Sequence, residues 1–327
     1  MYHDLRRRGR KHRMSRAPRV VCLGVITLDA LALVPRYPNA DERIVGRQVA
    51  ISGGGPAANA AVVLARQGVP VAFIGRVGCD QPGETAVRLL ADEGVDVSGV
   101  LRDPNAPTQA SCIVVAESTA TRAISTLEVP PLPGVDAFGE TAQALIRQAE
   151  WIHTDHLGFR PAADYVRRMD GPSRPRLSVD AGNSMPDLDV SVLDLFVPTA
   201  ASLVRHFTQP ETPEGLEAAA RMALEQGAAA VVATDGPNGS TAWWGPRFSA
   251  PEPAGRTHVP ATKTVPILST LGAGDVFHGA LLSAICRGRD WKHALQEANA
   301  TAALSCRALD GRTAVPDLAE LTQFLGA

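Results

Sequence analysis

Short apolar runs recur along this chain, each followed by a segment long enough for a helix, and this alternation constrains the fold most. Val20-Val21-Cys22-Leu23-Gly24-Val25-Ile26, Val71-Ala72-Phe73-Ile74-Gly75 and Ala229-Ala230-Val231-Val232-Ala233 are the clearest runs, with further strands expected at 151–154, 176–180 and 195–197. Runs this short with no polar side suit strands buried on both faces, as in a parallel sheet covered by helices. The segments 56–67, 84–93, 136–149, 161–169, 213–226, 273–288, 290–307 and 317–325 read as those helices, two of them stopped by Gly68 and Gly94. The pattern predicts an α/β domain of three layers with a Rossmann-type sheet.

Two stretches break the pattern. Residues 30–51 and 108–127 alternate apolar and polar positions, as in Arg43-Ile44-Val45-Gly46-Arg47-Gln48-Val49. Strands with one wet face do not belong in a buried parallel sheet, so these stretches are expected to pair into a small lid beside it. Pro130-Pro131-Leu132-Pro133-Gly134 is a natural return linker. The turn signals Asp235-Gly236 and Asn238-Gly239 predict a hairpin edge into Ser240-Thr241-Ala242-Trp243-Trp244.

With 327 residues, 45% of them hydrophobic, the chain can bury a large core. A net charge of −2 disfavours a nucleic-acid binder that works through bulk positive charge. Five cysteines, an odd number without C-x-x-C spacing, read as free thiols in a reducing compartment such as the cytoplasm. No apolar run reaches the roughly 18 residues of a membrane span. Residues 1–19, with the basic run Arg6 to Arg13, read as a solvated tail outside the fold. An upstream start before Met14, or a nucleic-acid or membrane contact, would also account for that run.

Three segments can carry chemistry. In Leu271-Gly272-Ala273-Gly274-Asp275-Val276-Phe277-His278-Gly279-Ala280, glycines open a helix whose first amides lack intrahelical partners, which makes an anion site. Asp275 in that first turn is placed to take a proton from a hydroxyl, and equally placed to serve only the helix dipole. Ser52-Gly53-Gly54-Gly55-Pro56-Ala57-Ala58-Asn59 is a glycine loop closing onto a helix start. It suits either sugar hydroxyls or tight helix–sheet packing. Asp29 follows the first strand, at the carboxyl end where ligands of open α/β sheets bind. Neither a Walker A segment nor a G-x-G-x-x-G fingerprint is present, which sets aside a dinucleotide oxidoreductase.

Together these segments resemble the ribokinase/PfkB carbohydrate kinase family over roughly residues 20–320, through a Gly-Gly element with Asn59 and a C-terminal Thr270 to Asp275 signature. The resemblance implies a ribokinase-like domain over 20–327 with a β lid, and ATP-dependent transfer to a sugar hydroxyl with Mg²⁺. It also implies the monovalent cation to which many members respond. It casts Asp275 as base and the amides of Gly272, Ala273 and Gly274 as an anion hole. Asp29, Gly54, Gly55 and Asn59 would hold the sugar, while Thr234, Gly236, Gly239 and Asn299 would lie on the nucleotide side. Lid strands that pair between subunits would give a homodimer.

Two positions depart from the family pattern. Ser269 replaces the Asp that usually opens the second signature, and Pro198-Thr199-Ala200-Ala201-Ser202 lacks the Asn and Glu of the motif linked to Mg²⁺. The metal ligands are therefore unassigned, with Asp180 a candidate through water. The motif wording looks most like sulfofructose kinases, which phosphorylate the 1-hydroxyl of 6-deoxy-6-sulfofructose. Reading a sulfonate calls for a cation, for which Arg43 is the candidate, with Thr126 and His156 behind it. Other sugars (fructose, fructose 6-phosphate, ribose, ketodeoxygluconate), a nucleoside, or a silent sugar sensor remain alternatives. The lid's scarcity of aromatics argues against a stacked base. His153-Thr154-Asp155-His156 alternates faces in a strand and so reads as a strand end touching substrate more than as a metal site. Trp243-Trp244 reads as packing.

Overall fold

The computed structural model describes residues 17–119, 121–169, 171, 174–183, 185, 187–248, 253–262 and 265–326. The expectations for residues 1–16 lie outside these. In chain order the first elements are β1 (Val20–Leu23), β2 (Thr27–Val34), β3 (Gln48–Gly54), α1 (Pro56–Arg66), β4 (Val71–Gly78), α2 (Gln81–Asp92) and β5 (Asp96–Asp103). Then come β6 (Ala110–Ala116), β7 (Thr121–Thr126), α3 (Gly139–Gln148), β8 (Trp151–Thr154), α4 (Phe159–Val166), β9 (Arg176–Ala181) and β10 (Leu195–Pro198). The last are α5 (Ala200–His206), α6 (Pro213–Glu225), β11 (Ala230–Thr234), β12 (Ser240–Trp244), β13 (Gly255–Val259), α7 (Ala273–Cys286), α8 (Trp291–Ser305) and α9 (Leu318–Gly326).

Nine strands form the main sheet in the order β13-β12-β11-β10-β9-β8-β1-β4-β5. From β11 to β5 the neighbours run parallel; β12 and β13 are added antiparallel at one edge, the expected hairpin. Alternation within β1 shows why the sheet is covered twice. Val20 and Cys22 pack with residues of α1, α2, α7 and α8, whereas Val21 and Leu23 pack with α3 to α6. All four are fully buried. At roughly 1.5–3 kcal/mol for each large side chain removed from water, these two layers dominate the driving force.

The lid is a second sheet, β3-β2-β6-β7. Asp29 pairs with Ser52 and Ser111, and Ser111 with Thr126, so these four share one face with Leu31, Leu33, Ile113 and Val115. The aliphatic members are buried against Leu309 and Leu271, so this face looks inward over the carboxyl ends of the main strands.

The differences from the sequence reading are local. Pro18 is buried, and Arg19 donates to both Glu150 carboxylate oxygens and to the Cys286 carbonyl, so the packed structure begins before residue 20. Helix α2 starts at Gln81, three residues early, because Asp80 caps it by accepting from the Gly83 amide and Pro82 fits its first turn. Strand β5 has no continuous apolar run in Asp-Val-Ser-Gly-Val-Leu-Arg-Asp, only Val97, Val100 and Leu101 packing inward, and it forms the sheet edge, where such a sequence is tolerated.

Candidate active site

The elements converge at the start of α7. Gly272 takes the left-handed conformation (φ 75°) before the helix, and among the described residues no side chain caps the end. A Cβ on Gly274 would meet nothing within 4 Å, so that backbone is open to a ligand. The Ala273 amide is turned to the Thr270 carbonyl at 3.3 Å, a long bond. An uncapped N-terminus with a glycine surface is an anion site by construction.

Asp275 is half-buried in the first turn. Its Oδ2 accepts from Asn59 Nδ2 at 2.7 Å. Burial, with the Asp180 carboxylate adding to it, pushes Asp275 up to about 7, into the range where a carboxylate both ionises and accepts protons near neutrality. His278, one turn on, braces this end: its Nε2 lies 3.0 Å from the Val197 carbonyl, and its Nδ1 lies near the Gly274 carbonyl (2.6 Å) and Asp180 (3.2 Å).

The glycine loop faces Asp275 through Asn59. Each of its glycines is required by what stands beside it. A Cβ would lie 2.0 Å from Arg312 Nη1 at Gly53, 2.0 Å from Asp29 Oδ2 at Gly54, and 2.2 Å from the Val25 carbonyl at Gly55, where φ is 98°. Asp29 accepts from Thr27 Oγ1 at 2.9 Å, and burial raises its carboxyl above the usual range. Asp29, Gly54, Gly55, Asn59 and Asp275 are thus gathered at one place. Asp155 accepts from the amides of Val25, Leu157 and Gly158 and is fully buried, so it clamps the loop and has no face left for substrate.

Other candidates lie apart. Arg43 is exposed in the β2–β3 connection, without a partner among the described residues. Thr234 ends β11; Gly236 lies in the exposed turn that follows and the buried Gly239 closes it, with positive φ of 47° and 99°. Asn299 is buried, donating to the carbonyls of Val259 and Pro260 and accepting from Ser240 Oγ, so its amide holds the β12–β13 edge. His153 is buried against Ser178 Oγ, and Trp244 stacks on Trp291 at 5.2 Å, both as packing. Three residues went unread as site groups in the sequence. Arg122, on the inner lid face, donates to Thr270 Oγ1 at 3.2 Å; Asp310 and Arg312 come from the loop before α9.

Where the family's metal-linked motif would fall, Thr199 caps α5: its Oγ1 accepts from the Ser202 amide and donates to Ser202 Oγ. Among the described residues no cluster of three or more His, Cys, Asp or Glu could hold a metal alone. Asp180, beside α7, is the carboxylate that would meet a Mg²⁺ ion carried on nucleotide phosphates. The ion's contribution there is to neutralise phosphate charge.

The model of the pfkB family carbohydrate kinases matches residues 17–154 and 175–318, and the chain belongs to that family. It is an ATP-dependent sugar kinase that uses ATP and Mg²⁺. Among curated relatives, it is 26% identical to the ribokinase of Haemophilus influenzae over 93% of this chain and 97% of that one. It is 27% identical to the ketohexokinase of Mus musculus over 85% and 92%. The fold is that of Arabidopsis thaliana ribokinase complexed with ribose and ATP (TM-score 0.79, 22% identity, 95% and 100% covered). It is also that of a putative ribokinase II from E. coli in complex with ATP and Mg²⁺ (TM-score 0.76, 20%, 94% and 99%).

Proposed function

We propose that the chain transfers the γ-phosphoryl group of ATP to a primary hydroxyl of a small sugar, with Asp275 as base. The observation that carries this is the carboxylate of Asp275 in the first turn of an uncapped helix, held by Asn59 and raised to about 7. Asp275 takes the hydroxyl proton, the oxygen attacks the γ-phosphorus, and ADP leaves, while the amides at the start of α7 face the charge on the transferred group. Asp29 and the Gly54–Gly55 backbone hold the sugar on the lid side, and the turn from Thr234 to Gly239 lies on the nucleotide side. The silent-sensor reading leaves unexplained a carboxylate tuned near neutrality beside an open anion site.

For the acceptor, the reading is a ketose with an anionic far end, with 6-deoxy-6-sulfofructose phosphorylated at its 1-hydroxyl as the leading candidate. Ketohexokinase among the relatives supports a ketose. Arg122, not the outlying Arg43, supplies a cation on the inner lid face beside the catalytic loop. The aliphatic inner face offers no ring to stack a nucleoside base. The outer lid face exposes Val49 (77%), Ile51 (60%) and Leu127 (49%) around Leu28, Ala30 and Cys112, which supports a homodimer formed through the lid. Five free cysteines suit the cytoplasm.

The test is ATP turnover with Mg²⁺ on sulfofructose, fructose, fructose 6-phosphate, ribose, ketodeoxygluconate and adenosine. Selective turnover of sulfofructose supports the anionic ketose. Preference for a neutral sugar removes the sulfonate and keeps the kinase.

A further inference from the structure

We infer that Arg312 is a positioning residue for Asp275, acting through the amide of Asn59; the inference rests on the reading of Asp275 as the base. Arg312 is only 5% exposed. Its Nε donates to Asn59 Oδ1 at 2.7 Å and its Nη2 to the Gly54 carbonyl at 2.9 Å. Asn59 then donates from Nδ2 to Asp275 Oδ2 at 2.7 Å. The chemistry fixes the direction of this relay. A guanidinium only donates, so it can meet only the oxygen of the amide and leaves the NH₂ to face the carboxylate. With a neutral acceptor in its place, nothing on the far side holds the amide oxygen, and the amide can flip whenever Asp275 is protonated and able to donate to it.

Packing alone does not account for an arginine here. Among the described residues its Nη1 is buried without a hydrogen-bond partner, pressed against the bare Cα of Gly53. Burial lowers the guanidinium to about 10, still protonated at neutral pH, with the carboxylates of Asp29, Glu93, Asp310 and Asp275 facing it. Burying such a charge costs several kcal/mol before its contacts are counted. The same loop is anchored on both sides. Asp310 accepts from Ser52 Oγ of the lid strand β3 and from the amide and hydroxyl of Thr313. Gly311 lies so close to Gly272 that a Cβ on Gly272 would stand 2.8 Å from its Cα. One loop therefore touches the lid, the amide that holds the base, and the anion site.

Around Asp275 the charged and titratable groups are Asp180 of β9, His278 of α7, Asp155 after β8, and Arg312 from this loop. Arg312 is the one fixed cation among those four, so its removal acts on both the orientation of Asp275 and its ionisation.

Steady-state kinetics on the best sugar of the panel, followed across the acid limb, test this with Arg312→Gln, Arg312→Lys, Asn59→Ala, the Arg312→Gln/Asn59→Ala double variant and Asp275→Asn. Arg312→Gln is expected to lower kcat by about 10- to 100-fold, the scale of a misplaced catalytic group. The sugar KM should stay within a few-fold, and the limb should move to higher pH. On the Asn59→Ala background the same change is expected to add little, because the two act as one unit. Arg312→Lys keeps the charge and loses the fork, so kcat falls while the limb stays; it decides the matter if the Gln variant does not fold. Wild-type kcat in either arginine variant, or effects that multiply with Asn59→Ala, would overturn the inference. Near-normal turnover by Asp275→Asn would instead remove the base reading on which it stands.

Discussion

A Cβ at Gly55 would stand 2.2 Å from the Val25 carbonyl oxygen, whereas one at Gly236, in the turn proposed for the nucleotide, would meet nothing within 4 Å. Both glycines have positive φ, so the contrast is not one of backbone conformation. On the side proposed for the acceptor, Gly53, Gly54 and Gly55 are each pinned by a named atom, and Arg312, Asn59 and Asp275 hold one another through side chains while Asp29 is held by Thr27. On the side proposed for the donor, residues 235–238 of the turn after β11 are exposed and a Cβ on Gly236 has room, although one on Gly239 would stand 2.1 Å from the Val259 carbonyl oxygen; Thr199 and Ser202 hydrogen-bond each other. The difference follows from what each side must recognise. A nucleotide's phosphates can be held by backbone amides, which any sequence supplies. A particular hydroxyl of a particular sugar must be held at a fixed angle to its base, which takes locked side chains.

The largest effect expected from this contrast is on folding. Gly55→Ala sets a Cβ against backbone that cannot rotate away and should abolish soluble, turnover-competent protein. Gly236→Ala should cost only about 1–2 kcal/mol, the left-handed penalty alone, read in a denaturant melt. Equal losses would erase the distinction between the two sides.

Next comes pH. Asp275 must be ionised to accept a proton, and its carboxyl sits at about 7. The kcat of the wild type should therefore fall about tenfold per pH unit below that point and level off above it. Because burial raises this group in the folded protein, its stabilising influence is present at low pH and lost as pH rises through 7. Asp275→Asn should accordingly melt higher than wild type at pH values above about 7, with the gap closing in acid. A flat rate profile would break the assignment.

Smaller effects separate the two arginines of the lid. Arg122→Ala should raise the KM for an anionic sugar by roughly tenfold or more, the scale of one charge-assisted hydrogen bond. Arg43→Ala, at an exposed loop, should leave it nearly unchanged. The reverse order would return the sequence-based choice. The smallest effect is on the donor side. Thr199→Ala removes the α5 cap and should cost about 0.5–2 kcal/mol of stability, seen in the same melt, with turnover at saturating Mg²⁺ close to wild type.

Much of this arrangement was legible before any coordinates. Buried strands announce themselves by apolar runs, and a helix start by its glycines and following Asp275, because both signals are local. The lid's existence is legible from alternation, but Arg122 is not read as a site group, since nothing local tells which strand position meets Thr270. Asn59 reads as a sugar ligand from sequence, whereas in the fold its amide donates to Asp275, a contact no local signal announces. Arg312 carries no local signal; its partner Asn59 is 253 positions away, and such a pairing exists only once the chain is folded. Asn299 shows the converse, a polar residue expected near the nucleotide whose amide is spent on two carbonyls and a hydroxyl.

The most direct measurement is turnover of Asp275→Asn on the best sugar of the panel, beside sugar binding by the same variant. The account predicts a loss of at least about 10²–10⁴-fold in kcat with the sugar dissociation constant little changed. Turnover within a few-fold of wild type would contradict it and require a different base.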